Sequence, residues 1–176
     1  RQDMERLVAH LRETLPKAFR QEAFEKEQRE LGEKYEHEIR QLQETFGRMA
    51  RDNGFSIQAD ASGNVAFIPL QGDRAMTPEE MEGLSEDRRQ ELERLQNQIV
   101  QEFRSVMLRQ RQLMQQLTTE IREIERNFSA QLVAPLIAEL KQRHPQEHAQ
   151  RYFDAVQEDM LAHLERFKEG GPQAPA

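Results

Sequence analysis

The sequence predicts a mainly α fold: an elongated, antiparallel, coiled-coil-like helical arm with a small β-hairpin and short flanking helices. Three observations predict it. Apolar residues recur at steps of three and four along one very long segment, about 85–142; a second stripe of the same period occupies an earlier segment; and between them the period drops to two over a stretch bounded by turn residues.

The elements follow in order. Met4, Leu7, Val8 and Leu11 fall at helical spacing over about Gln2 to Thr14, and Leu15-Pro16 predicts a break there. Proline is tolerated at a first helical position, where its missing amide has no intrahelical partner, so a second helix is expected to begin at Pro16 and run to about Asp52. Its apolar face carries Phe24, Leu31, Tyr35, Ile39, Leu42, Phe46 and Met49. Asn53-Gly54 ends it, since both residues tolerate the left-handed conformation of a helix stop.

The hairpin is placed at about 55–69. Phe55-Ser56-Ile57-Gln58-Ala59 alternates, Asp60 to Asn64 is turn chemistry, and Val65-Ala66-Phe67-Ile68 alternates again until Pro69, which lacks a ladder donor. Gln71-Gly72-Asp73 makes a further turn. Thr77-Pro78-Glu79-Glu80 has the form of a capping box opening a short helix.

Ser85 is the expected cap of the long helix, with Glu86 and Asp87 well placed against the dipole of its first turn. Leu92, Leu95, Ile99, Phe103, Val106, Gln110, Leu113, Leu117, Ile121, Ile124 and Phe128 form its stripe, in which Gln110 alone is polar. A helix of that extent is about 80 Å long, more than a compact domain of this size spans, and a stripe that long needs a partner. Pro135 predicts a kink or division near Gln131 to Pro135. A last amphipathic helix, about 145–169, follows His144-Pro145 with Tyr152, Phe153, Val156, Met160, Leu161, Leu164 and Phe167. The segment 1–169 reads as a single folding unit, and 170–176 as a flexible tail or linker. Arg1 at one end and the Gly- and Pro-rich stretch at the other suit a domain cut from a longer protein.

Composition narrows function. Hydrophobic residues make up 36% of the chain and charged residues 32%, a low apolar share that suits an extended helical shape with little interior. The chain contains no cysteine, which excludes disulfides and thiol-based metal or redox sites and agrees with a cytoplasmic location. It has no apolar run of the roughly 20 residues a membrane span requires. A net charge of −7 opposes bulk attraction to nucleic acid, and Arg104, Arg109, Arg111, Arg122 and Arg126 are interrupted by Glu102, Glu120, Glu123 and Glu125.

No catalytic signature is present: there is no phosphate-cradling glycine loop, no nucleophile elbow and no paired-histidine zinc helix. No catalytic residue, metal ligand or cofactor is therefore assigned. His144 and His148 stand four apart without a third ligand in the sequence, and Pro145 opens the helix between them. Asn127-Phe128-Ser129 matches a glycosylation sequon but falls within a helix. The hairpin carries the candidate site. Phe55, Phe67 and Ile68 have little chain nearby to cover them, and with Met76 they are expected to form an exposed apolar tip.

The order of these features resembles one family. Leu15-Pro16-Lys17-Ala18-Phe19, then Ala50-Arg51-Asp52-Asn53-Gly54-Phe55, a hairpin ending in Ile68-Pro69-Leu70-Gln71-Gly72, then Met76-Thr77-Pro78-Glu79-Glu80 with Leu84, a long helix, and the closing Tyr152-Phe153-Asp154-Ala155-Val156-Gln157-Glu158-Asp159-Met160 together resemble the helical insert of Lon-like proteases, in particular the LonC-type branch. The resemblance implies a domain that interrupts an AAA+-like module ahead of a Ser–Lys peptidase, in a ring that is commonly hexameric. It implies that this chain, which has no counterpart of the family's catalytic Ser and Lys or its nucleotide-binding motifs, handles unfolded polypeptide substrates without cutting them. Phe55, Phe67, Ile68 and Met76 are then the expected substrate contacts. The alternative is a structural coiled coil for ring or cage assembly, with Ile99, Val106, Leu113 and Leu117 at an intersubunit contact.

Overall fold

A single α-helix from Glu86 to Arg143 dominates the computed structural model, which describes residues 2–59, 61, 63–164 and 166. The described elements are α1 (Gln2–Ala18), α2 (Glu22–Asp52), β1 (Phe55–Ala59), β2 (Val65–Gln71), β3 (Arg74–Ala75), α3 (Pro78–Glu82), α4 (Glu86–Arg143) and α5 (Glu147–Ala162). The fold is mainly helical, with one small antiparallel sheet in the order β1-β2-β3. The expected end of the last helix beyond residue 166 and the expected tail at 170–176 lie outside the described residues.

Several boundaries differ from the sequence reading: β2 runs through Pro69 to Gln71 and is followed by a third strand, α5 ends at Ala162, and the two proline sites in helices behave differently from the expectation. Helix α1 runs through Pro16 to Ala18 instead of breaking at Leu15-Pro16. Leu15 and Ala18 are buried and hold the last turn against the core, and the Phe19 amide still donates to the Leu15 carbonyl at 3.0 Å. The break falls at residues 19–21, and α2 begins at Glu22. Nor does Pro135 divide α4. The carbonyl it orphans belongs to Gln131, and both residues are exposed, so water can satisfy that carbonyl while Val133 and Ile137 remain fully packed.

The described residues group into two compact units, one of Arg1–Glu33 with Leu117–Ala176 and one of Lys34–Gln116. The first unit contains no strand among its described residues. Its core is Leu7, Leu11 and Leu15 of α1, Val133, Ile137 and Leu140 of α4, and Phe153 and Met160 of α5. Helix α1 runs antiparallel to this part of α4, with His144 beside Asp3 at one end and Phe128 against Phe19 at the other. Helix α5 folds back along α4, tied by a Lys141–Asp154 ion pair and by Gln150, which donates to the carbonyls of Lys141 and His144 at 2.9 Å. The rings of Phe19, Phe24 and Phe128 form a second apolar contact in this unit.

In the second unit the end of α2 pairs antiparallel with the start of α4. Gln43 donates to Gln110 at 3.2 Å, and one helical turn further along α2 the Phe46 ring meets Phe103 at 5.6 Å. The one polar member of the long stripe thus faces a polar partner. The hairpin closes onto this pair: Phe46, Ala50, Phe55, Phe67, Leu92 and Ile99 form the core. Ile99 and Leu113 are buried inside the chain, covered by its own residues, so they are not free for the intersubunit contact the assembly reading gave them.

Candidate functional site

The site is built by two turns and a cap. Gly54 takes φ +80° after α2 and reverses the chain into β1, a conformation that costs residues with a Cβ about 1–2 kcal/mol. Gly72, at φ +63°, does the same between β2 and β3. The register sets Phe55 opposite Pro69, Ile57 opposite Phe67 and Ala59 opposite Val65. Leu70 donates to the Gly54 carbonyl and Met76 to the Pro69 carbonyl, both at 2.8 Å. Pro69 therefore sits on β2 with its backbone facing β3, where its missing N–H removes no bond to β1.

The capping box read from the sequence is formed. Thr77 accepts from the Glu80 amide at 3.2 Å, and the Glu80 carboxylate accepts from the Thr77 amide at 2.8 Å. The same carboxylate takes a two-pronged grip from the Arg74 guanidinium, which reaches across from β3. That hydrogen bond first, and the Thr77 amide second, hold the Glu80 carboxyl down to about 2. The loop from β3 into α3 is thereby locked by charge-assisted hydrogen bonds. Ser85 occupies the expected cap position of α4, its carbonyl accepting from Arg89 at 2.9 Å and its hydroxyl at a long 3.4 Å from the Arg88 amide.

These elements leave an apolar groove of about 840 Å³ between β2, α3 and the start of α4. Phe67, Ile68, Met76, Met81, Leu84 and Leu92 give it its character. Arg89 is held to the carbonyls of Glu82 and Leu84 at 3.2 and 3.4 Å, and Gln96 donates to the Phe67 carbonyl at 3.0 Å, so these rim groups are already engaged with backbone. The groove brings together three of the four residues chosen from the sequence, Phe67, Ile68 and Met76, and leaves out Phe55.

The expected exposed tip is corrected by burial. Phe55 is 1% exposed, Met76 6% and Phe67 7%. Phe67 lies edge-on to Phe46 at 6.0 Å and to Phe103 at 5.4 Å, so the end of α2 and the start of α4 supply the cover that the hairpin's short strands lack. Ile68 alone of the four is half-buried. Phe67 and Met76 are the floor of the groove, while Ile68, Met81 and Leu84 are its accessible walls. Met81 and Leu84 were not among the site residues expected from the sequence; their signal was a Met76-to-Leu84 apolar spacing around a capped short helix.

A second groove, about 870 Å³, lies on the opposite flank of the hairpin between β1 and α2. Gly47 opens its floor, and Arg48 and Arg51 stand on its helical wall. In the other unit, His144 Nε2 is 3.0 Å from Asp3 and its ring lies tilted against that of Phe153 at 5.9 Å, which ties it to the α1–α4–α5 packing; the hydrogen bond from His144 is the main reason the Asp3 carboxyl is lowered. Ser129 of the sequon is fully buried, its hydroxyl donating to the Glu125 carbonyl at 2.8 Å. Among the described residues no cluster of three or more metal-ligating side chains occurs, and no helix is long and apolar enough to cross a membrane.

No family model matches this chain, and no curated protein shows significant similarity to it.

Proposed function

We propose that the Lys34–Gln116 unit captures unfolded polypeptide, and that the chain is the substrate-recruiting or gating insert of a cytoplasmic Lon-like protease whose ring assembly and Ser–Lys peptidase lie in the parent protein. The observation that carries this reading is the groove between β2, α3 and α4. Unfolded chains differ from folded ones by presenting apolar side chains, and Ile68, Met81 and Leu84 offer an accessible apolar wall over a buried floor. Methionines adapt their shape to varied partners, which suits a surface that meets many sequences. Of its polar lining, Arg89 and Gln96 hold backbone carbonyls, which supports binding over chemistry. Weak capture at each groove becomes effective when several copies around a ring act on one chain.

The test uses one protein in its native form and in a reduced, carboxymethylated form that stays unfolded. The expected result is line broadening at Ile68, Met81 and Leu84 with the unfolded form alone, and at least a tenfold loss of capture in Met81→Glu at an unchanged melting temperature. Equal capture by Met81→Glu would overturn the assignment of the groove.

A further inference from the structure

We infer that the exposed face of α4 between Arg104 and Met114 is a docking surface for an acidic amphipathic helix of a partner protein. The inward stripe of this part of α4 runs through Phe103, Val106, Gln110 and Leu113, and α2 covers it. One position on from each of these, about 100° around the helix, stand Arg104, Met107, Arg111 and Met114, with Leu108 beside them. Steps of three and four make them a second continuous stripe, and this one lies open. Met107 is 46% exposed, Leu108 57% and Met114 48%. Three of the five exposed large apolar residues among the described ones thus fall within eight positions of α4, a concentration and not the single scattered contacts of an ordinary surface.

The same stretch is an acid-free part of an acidic chain. Residues 103–119 contain Arg104, Arg109 and Arg111 and no Asp or Glu, although the net charge of the whole is −7. The bounding acids, Glu102 and Glu120, each stand nine residues from Arg111, half a turn away on the far side of the helix. Arg109 lines a recess with Glu38 of α2 and lies outside the stripe. Arg104 and Arg111 are exposed and form no ion pair with a carboxylate among the described residues. Positive charge on this stripe is therefore uncompensated by its own helix.

Charge and composition select the occupant. Met and Arg are enriched at protein interfaces while Lys, Asp and Glu are depleted, and the stripe carries the first two and none of the last three. Guanidinium groups take carboxylates in a two-pronged grip. Arg104 and Arg111 are seven residues apart, about 10 Å along the axis, so the matching helix carries carboxylates seven residues apart with apolar residues between them for Met107 and Leu108. A second copy offering the same face would set arginine against arginine, which opposes self-pairing. Nucleic acid would meet two cations interleaved with apolar groups and no aromatic ring to stack on. The stripe begins two helical turns beyond Gln96, the last residue of the apolar groove, and its occupant is a formed helix, not an unfolded chain.

The experiment titrates the full chain with a helical peptide of three Glu-Ala-Gln-Leu-Leu-Gln-Ala repeats and with the same peptide carrying Lys in place of every Glu. Two variants accompany it, the double change Arg104→Glu with Arg111→Glu and the single change Leu108→Gln, all at exposed positions where the new residue suits a helix. The expected result is at least a tenfold preference for the Glu peptide, with shifts at the Met107 and Met114 methyl groups. The double variant is expected to invert that preference, and Leu108→Gln to weaken binding of the Glu peptide at least tenfold. Failure of the Glu peptide to bind the unaltered chain, or equal binding of the two peptides, would overturn charge-selected docking whatever the variants do. An unchanged preference in the double variant would place the peptide elsewhere and overturn it too. So would a concentration-dependent dimer that Leu108→Gln dissolves, since the face would then belong to a second copy. Retention of a DNA oligonucleotide or of phosphatidylserine vesicles, lost in the double variant while neither peptide binds, would assign the arginines to phosphate instead.

Discussion

The two compact units solve the same problem, covering the long apolar stripe of α4, with different materials. In the first, two further helices lie along α4, and Leu11, Val133 and Ile137 are each no more than 1% exposed. In the second, one helix and a small sheet do the covering. Strands β1 and β2 bring Phe55 and Phe67 onto α2 and α4, yet a three-stranded sheet over two helices leaves a groove along each flank. Helices of matched length close a core; a short hairpin closes its centre and leaves its margins open. Openness at those margins is what makes the second unit the functional candidate.

The sharpest way to break the comparison is in the aromatic centre of the second unit. Phe67→Ala removes the ring shared by Phe46 and Phe103 and is expected to destabilise this unit by about 3–5 kcal/mol, read by chemical denaturation and by hydrogen exchange at β1 and β2. A surface tip would instead tolerate the change within about 0.5 kcal/mol. In the first unit, Leu11→Ala leaves a cavity at a fully buried site and is expected to cost about 2–5 kcal/mol, with faster exchange in α1 and α5.

Smaller effects sharpen the contrast. Thr77→Ala removes the cap of α3 and is expected to cost about 1 kcal/mol, visible as faster exchange of the Glu80 and Met81 amides with β1 and α5 unaffected. Acid acts on the same loop. A carboxyl lowered from 4.5 to about 2 contributes stability that is full above pH 4.5 and is lost as the pH falls toward 2. The loop from Arg74 to Glu82 is therefore expected to loosen over that window, and Glu80→Gln to remove the pH dependence. Asp3 in the first unit is lowered from 3.8 and contributes in the same direction, so acid below that value weakens its contact with His144. The smallest change in stability is expected for Met81→Glu, within about 0.5 kcal/mol, while the proposed capture is expected to fall at least tenfold.

Much of this architecture was legible from residue order. The two stripes, the Asn53-Gly54 stop, the Thr77–Glu80 capping box and the turn at Gly72 are local devices, each set by backbone geometry within a few residues, and each appears where the spacing placed it. Pro16 was misread because burial of Leu15 and Ala18 outweighs the hydrogen bond that the proline removes from the last turn of α1. The candidate site was half legible. Phe67, Ile68 and Met76 do converge, but their exposure was misjudged because the cover over Phe67 comes from the Phe46 and Phe103 rings, which lie on helices outside the hairpin.

The sequence by itself determined the helical periods, the hairpin with its turns, the helix caps and the absence of cysteine chemistry, because those depend on neighbours a few positions apart. Tertiary structure alone decided which apolar residues became core and which became wall: Gln110 found Gln43, Phe55 and Phe67 were sealed, and Ile68, Met81 and Leu84 were left lining a groove. Burial depends on which elements meet, and periodicity marks an apolar face without saying how much of it the partner covers.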